Sequence, residues 1–192
     1  MTKTRILLAA TGASGMPYAV ALARFLAEAP DIELHLILSD AARRVLELES
    51  DVSAEALAAL AHRTYGINEY DAGPASGSWR HGGMAVCPCS MASLAAIAHG
   101  LGSNLIHRAA DVALKEGRRL VLVPRETPLG AIHLENMLAA RRAGAVILPP
   151  SPGFYHKPRS IDDLVAFVTA RVLDALGIKH RLLAGWKEEE TV

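Results

Sequence analysis

The chain has 192 residues, 20 Lys plus Arg against 20 Asp plus Glu, and 51% hydrophobic residues. That length suits one domain with a substantial core, and the balanced charge argues against nonspecific nucleic-acid binding. Every apolar run is cut by Gly, Pro or a charge before it reaches the length of a membrane span. The N-terminus leads straight into Ile6-Leu7-Leu8 without the longer apolar segment of a secretory signal, and Cys87 and Cys89 stand too close to suggest a disulfide scaffold, so a cytoplasmic setting is expected. Much of the apolar excess is alanine, which points to closely packed helices, some of them expected between subunits.

Arg5–Ala10 predicts a strand, followed by a helix over Met16–Ala29 with Pro17 tolerated in its first turn. Glu33–Leu38 predicts a second strand, and Ala41–Glu49 and Ser53–His62 predict helices. Met84–Cys87 predicts a strand, with helices over Ser90–Gly100 and Asn104–Glu116. The strand Leu120–Val123, the helix Ala131–Ala143 and the strand Ala145–Leu148 follow. A last helix, Ser160–Leu176, carries Asp162 and Asp163 just after a Ser160 cap. This alternation predicts a single-domain α/β chain over residues 1–192, a Rossmann-like or flavodoxin-like three-layer fold with a mainly parallel sheet. Residues 187–192 are expected to be a solvated, mobile tail.

Three irregular segments, Asp71–Gly83, Pro124–Gly130 and Pro149–Arg159, break the pattern. Two of them follow predicted strands and are expected at the rim where open α/β sheets bind ligands. The first strand runs into Thr11-Gly12-Ala13-Ser14-Gly15 and then a helix. Glycines admit close ligand approach, and first-turn N–H groups favour a phosphate. The spacing is Gly-x-x-Gly, short of the dinucleotide fingerprint, and the P-loop lysine is absent. Ser39 and Asp40, after the second strand, are candidates for a mononucleotide contact or a ribose acid.

Cys87-Pro88-Cys89-Ser90-Met91-Ala92-Ser93 also joins a strand to a helix. Its serines suit the polar edge or phosphate of a flavin; its cysteines lack zinc spacing and read as ordinary packing. Arg108, Asp111 and Lys115 share one helix face, either a solvated stripe or an inward-facing phosphate pair. Arg125-Glu126 follows a strand end, where the arginine would pin an anion and the carboxylate transfer protons, against the alternative of a surface ion pair. In Pro152–Arg159, Tyr155 is a candidate phosphate donor, with Arg171 in the next helix; the alternative is a proline-stiffened connection. His133 and His156 read as structural or exposed.

Taken in order, Thr11–Gly15, Leu38–Ala42, Glu49–Asp51, Pro74–Ser78, Cys87–Ser90, Arg108–Glu116, Pro124–Pro128 and Pro152–His156 resemble the flavin prenyltransferase family, over about Ile6 to Trp186. The resemblance implies transfer of a dimethylallyl group from dimethylallyl phosphate to N5 and then C6 of reduced FMN, without a metal, giving prenylated FMN for a partner decarboxylase. It assigns Gly12, Ala13, Ser14, Ser39, Ser90, Met91, Ala92, Ser93 and Arg125 to the flavin. Tyr155, Arg171, Arg108 and Lys115 would hold the prenyl phosphate, and Trp186 would cover the prenyl group. Glu126 is the first choice for proton transfer, with Ser14 and Glu49 beside it; Tyr70 and Trp79 are alternative linings of the prenyl pocket. Family members build the site across subunits, which implies a homo-oligomer, a dodecamer. A cysteine-type flavin decarboxylase would carry a different loop at Pro74–Ser78, and a non-catalytic flavin carrier would not need a second phosphate site.

Overall fold

The computed structural model of the chain describes residues 3–183; Trp186 and the expected tail, 187–192, lie outside them. Six parallel strands form one sheet: β1 (Thr4–Ala10), β2 (Ile32–Leu38), β3 (Arg63–Tyr65), β4 (Gly83–Cys89), β5 (Arg119–Pro124) and β6 (Val146–Ile147). Their order across the sheet is β3-β2-β1-β4-β5-β6. The helices are α1 (Met16–Glu28), α2 (Asp40–Glu49), α3 (Ala54–Ala59), α4 (Met91–Ala98), α5 (Leu105–Lys115), α6 (Ala131–Arg142) and α7 (Ile161–Leu176).

Alternate side chains of β1 divide the core. Ile6, Leu8 and Ala10 pack with α1, α2, α3 and α7 on one face, whereas Leu7 and Ala9 pack with α4, α5 and α6 on the other. The result is the expected three-layer α/β fold. Strand direction across the sheet is uniform, but chain progression reverses beside β1: β2 follows it on one side, β4 on the other. The loops after β1 and β4 leave towards opposite faces and open a crevice at their carboxyl ends.

The predicted strands and helices all form, within a few residues of their expected ends. Cys87 and Cys89 are free and buried, as packing residues should be; burial pushes the Cys87 thiol up to about 12. Two features differ. The helix expected to reach His62 stops at Ala59, and Arg63–Tyr65 adds an edge strand, β3, paired to β2. Three residues led by an exposed Arg carry no strand period; only β2 defines that edge. Alanines 109, 110 and 113 of α5 are buried against their own sheet. No helix among the described residues is long and apolar enough to cross a membrane.

Candidate functional site

The crevice is built around Thr11, the first residue beyond β1. Its N–H and hydroxyl both donate to the Pro88 carbonyl, at 3.0 and 3.2 Å, and its hydroxyl oxygen accepts from the Ser90 N–H at 2.7 Å. Thr11 therefore staples the β1 loop to the β4 loop, a role its sequence context did not disclose. Gly12 meets the start of α2: a Cβ there would lie 2.4 Å from the Ala41 Cβ, so only glycine permits the approach. Ser39 caps α2 by accepting from the Ala42 N–H at 3.0 Å, and its own N–H donates to the Ala10 carbonyl. Gly12, buried Ala13 and Ser39 thus form one wall. At the end of the loop Gly15, at φ 119°, occupies backbone space that favours glycine.

Glu49, at the far end of α2, decides the electrostatics of this wall. Its carboxylate accepts from the N–H groups of Gly15 and Met16, at 2.8 and 2.9 Å, and from the Ser14 hydroxyl. Burial opposes its charge, but these hydrogen bonds and the nearby Arg125 guanidinium outweigh burial and hold the carboxyl below its usual range. The helix N-terminus read from sequence as a phosphate cradle already holds an anion, and that anion belongs to the protein. Glu49 occupies only those two N–H groups; the N–H groups of Gly12 and Ser14 donate to no group among the described residues. Arg125 closes the wall from β5, its Nε donating to the Ser14 carbonyl at 3.3 Å.

The opposite wall is the start of α4. Ser90 caps it, accepting from the Ser93 N–H at 3.3 Å, and its hydroxyl donates to Ser93 Oγ at 3.3 Å. Met91 packs on the core and Ala92 faces solvent. Ser93 is buried, and His107 Nε2 lies 3.2 Å from its hydroxyl. His107 escaped the sequence reading because it is an isolated histidine on the apolar face of α5.

The remaining candidates do not join this cluster within one chain. Glu126 stands beside Arg125 but is exposed, its carboxylate accepting from the Thr127 N–H at 3.0 Å. Arg108 pairs with Asp111 at 2.7 Å and donates to the Ala75 carbonyl at 3.1 Å, while Lys115 pairs with Glu116 at 2.8 Å. With Arg118, which grips the carbonyls of Gly77 and Trp79, Arg108 fastens the crossover from β3 to β4 along α5. Trp79 lies under Arg5, at the end of β1 opposite Thr11. Exposed Tyr155 packs edge-on to Phe167, and Arg171 pairs with Asp174 beside a cleft of about 480 Å³ lined by Leu148, Ser151 and Phe167. Arg108 and Lys115 belong to a helix on one face of the sheet and Arg171 to a helix on the other.

Residues 1–173 match the Flavoprotein family model. The flavin prenyltransferase LpdB of Lactiplantibacillus plantarum is 50% identical over 183 residues, covering 95% of this chain and 98% of LpdB. The chain belongs to the flavin prenyltransferase family. In three dimensions it is similar to a dodecameric FMN-dependent Ubix-like decarboxylase from Escherichia coli O157:H7, with a TM-score of 0.93 and 48% identity over 96% of this chain and 100% of that one. It is also similar to AnUbiX (PadA1), solved in complex with FMN and dimethylallyl pyrophosphate, with a TM-score of 0.91 and 45% identity over 96% and 100% of the two chains. Membership of the flavin prenyltransferase family therefore rests on nearly the whole chain, as the ordered motifs led one to expect.

Proposed function

We propose that the protein joins a dimethylallyl group from dimethylallyl phosphate to N5 and C6 of reduced FMN. The observation that carries this reading is the crevice between the loops after β1 and β4, in a chain 50% identical to a named flavin prenyltransferase. Its residues fit a phosphorylated flavin. Gly12 leaves room for close approach, Gly12 and Ser14 offer N–H groups, and Arg125 supplies positive charge. The Ser39 turn completes the phosphate end, and Ser90, Met91, Ala92 and Ser93 line the ring end.

Glu49 stays ionised beside Ser14, so its role is electrostatic: it orients the Ser14 hydroxyl and opposes positive charge that develops as the allylic C–O bond breaks. Glu126, exposed at the same rim, is the group that moves the protons displaced as bonds form. Tyr155, Arg171, Arg108, Lys115 and Trp186 hold the departing phosphate and cover the prenyl group. Helices on opposite faces of one sheet supply three of these residues, which supports a site completed by neighbouring copies. The exposed apolar side chains of α6, Ile132, Leu134 and Leu138, give such copies a surface. With a dodecameric relative at 48% identity, we assign a dodecamer. The product, prenylated FMN, passes to a decarboxylase in the cytoplasm.

Anaerobic incubation with reduced FMN and dimethylallyl phosphate, followed by mass spectrometry, tests the reaction; folded protein that yields no adduct overturns it. Glu126→Gln should leave FMN affinity within twofold and slow adduct formation by about a hundredfold. Adduct formation at the wild-type rate would remove Glu126 from proton transfer.

A further inference from the structure

We propose that His107 is a positioning residue that turns the Ser90 hydroxyl inward, so that Ser90 accepts a hydrogen bond from the flavin ring and does not donate to the phosphate. This rests on the flavin reading of the crevice. The polarity of the chain begins at Asn104. Its Oδ1 accepts from the His107 N–H at 3.0 Å, which places the amide oxygen on that side and the amino group on the other. The amino group lies 3.4 Å from His107 Nε2 and can only donate, so Nε2 carries no proton.

Ser93 Oγ approaches the same nitrogen more closely, at 3.2 Å, and is the principal donor to its single lone pair, which leaves the 3.4 Å amide contact secondary. The Ser93 oxygen is then an acceptor, filled by the Ser90 hydroxyl at 3.3 Å. The Ser90 N–H is already committed to Thr11 Oγ1 at 2.7 Å. Both donors of Ser90 are spent inside the protein. One lone pair of its oxygen takes the Ser93 N–H at 3.3 Å, and the other remains for a ligand N–H, such as the imide of an isoalloxazine.

Two further observations fit. His107 and Ser93 are each 8% exposed, so solvent does not compete for these bonds. Burial also lowers the proton affinity of His107, which keeps the ring neutral. Against them stands one cost: with Nε2 bare the imidazole proton sits on Nδ1, which is buried with no partner among the described residues.

Riboflavin has the ring of FMN without its phosphate, so it separates the two roles of Ser90. Dissociation constants for both flavins, measured by fluorescence quenching on the full chain, are compared for the wild type and Ser90→Ala, Ser93→Ala, His107→Leu and His107→Gln. Ser90→Ala, Ser93→Ala and His107→Leu should each weaken FMN and riboflavin by the same factor, about three- to tenfold. His107→Gln should recover part of that loss, because its side-chain oxygen can accept from Ser93. Ser93→Ala should cost nothing further in a Ser90→Ala background, whereas loosened packing alone would add.

Loss of FMN but not riboflavin affinity in Ser90→Ala would overturn the inference, as would wild-type affinities in Ser93→Ala. The small Ser93 change keeps the test decisive even where His107→Leu does not fold. A wild type that binds neither flavin would overturn the flavin reading itself; a wild type that binds both, with silent variants, overturns only the role of His107.

Discussion

Replacing Glu49 by Gln removes a charge from the start of α1 while keeping an oxygen that can still accept. In the native chain that carboxylate takes two backbone N–H groups at 2.8 and 2.9 Å. A hydrogen bond to a charged acceptor contributes about 1.5–3 kcal/mol and one to a neutral acceptor about 0.5–1.5 kcal/mol, so neutralisation costs about 1–1.5 kcal/mol per bond. A charge at a helix N-terminus adds about 0.3–1 kcal/mol. Glu49 is only partly buried, which draws the sum to about 1–2 kcal/mol. For a chain of this size that corresponds to a melting temperature lower by about 2–8 °C, measured at one protomer concentration by calorimetry at pH 7. The pH dependence has a definite sign. The folded carboxyl is held below its unfolded value, so its contribution is full above the unfolded pKa, about 4.3, and fades as pH falls through the folded value. The gap between wild type and Glu49→Gln should close in acid. Equal melting temperatures at pH 7, or a gap that widens on acidification, would refute the argument.

Two other substitutions probe the crevice and the donor side. Thr11→Val keeps the shape but orphans the Ser90 N–H, at a cost of about 1–3 kcal/mol; thermal melts should show Thr11→Ser near the wild type and Thr11→Val clearly below it, and coincident melts of all three would discount the staple. Arg171→Ala removes an exposed ion pair, so stability should stay within about 0.5 kcal/mol. Its expected effect is a rise of about tenfold or more in KM for dimethylallyl phosphate with FMN affinity unchanged; an unchanged KM would take Arg171 out of the donor site.

The ordered motifs were enough to identify the family, and the alternation of apolar runs was enough to specify the layers. Both are local signals. β1 and β5 announce themselves because parallel strands buried on both faces need unbroken apolar runs, here Ile6–Ala10 and Leu120–Val123, and Ser39, Ser90 and Ser160 mark helix starts by a spacing of three residues. β3 gave no such signal, since an exposed three-residue edge is defined by its neighbour.

The site was half legible for the same reason. Gly12, Ser14, Ser39, Ser90 and Arg125 sit at strand ends, and the rule that ligands gather there is readable from element order. What those residues do for one another was not. Glu49 reaches the N–H of Gly15 across 34 positions, and Thr11 reaches Ser90 across 79. No periodicity encodes such separations. Only the docking of α2 beside the first loop turned a presumed phosphate cradle into a seat for the protein's own carboxylate, and only the packing of α5 under α4 set a histidine against Ser93. Sequence alone determined which loops meet at the crevice; tertiary packing decided which of their hydrogen-bonding groups were already taken.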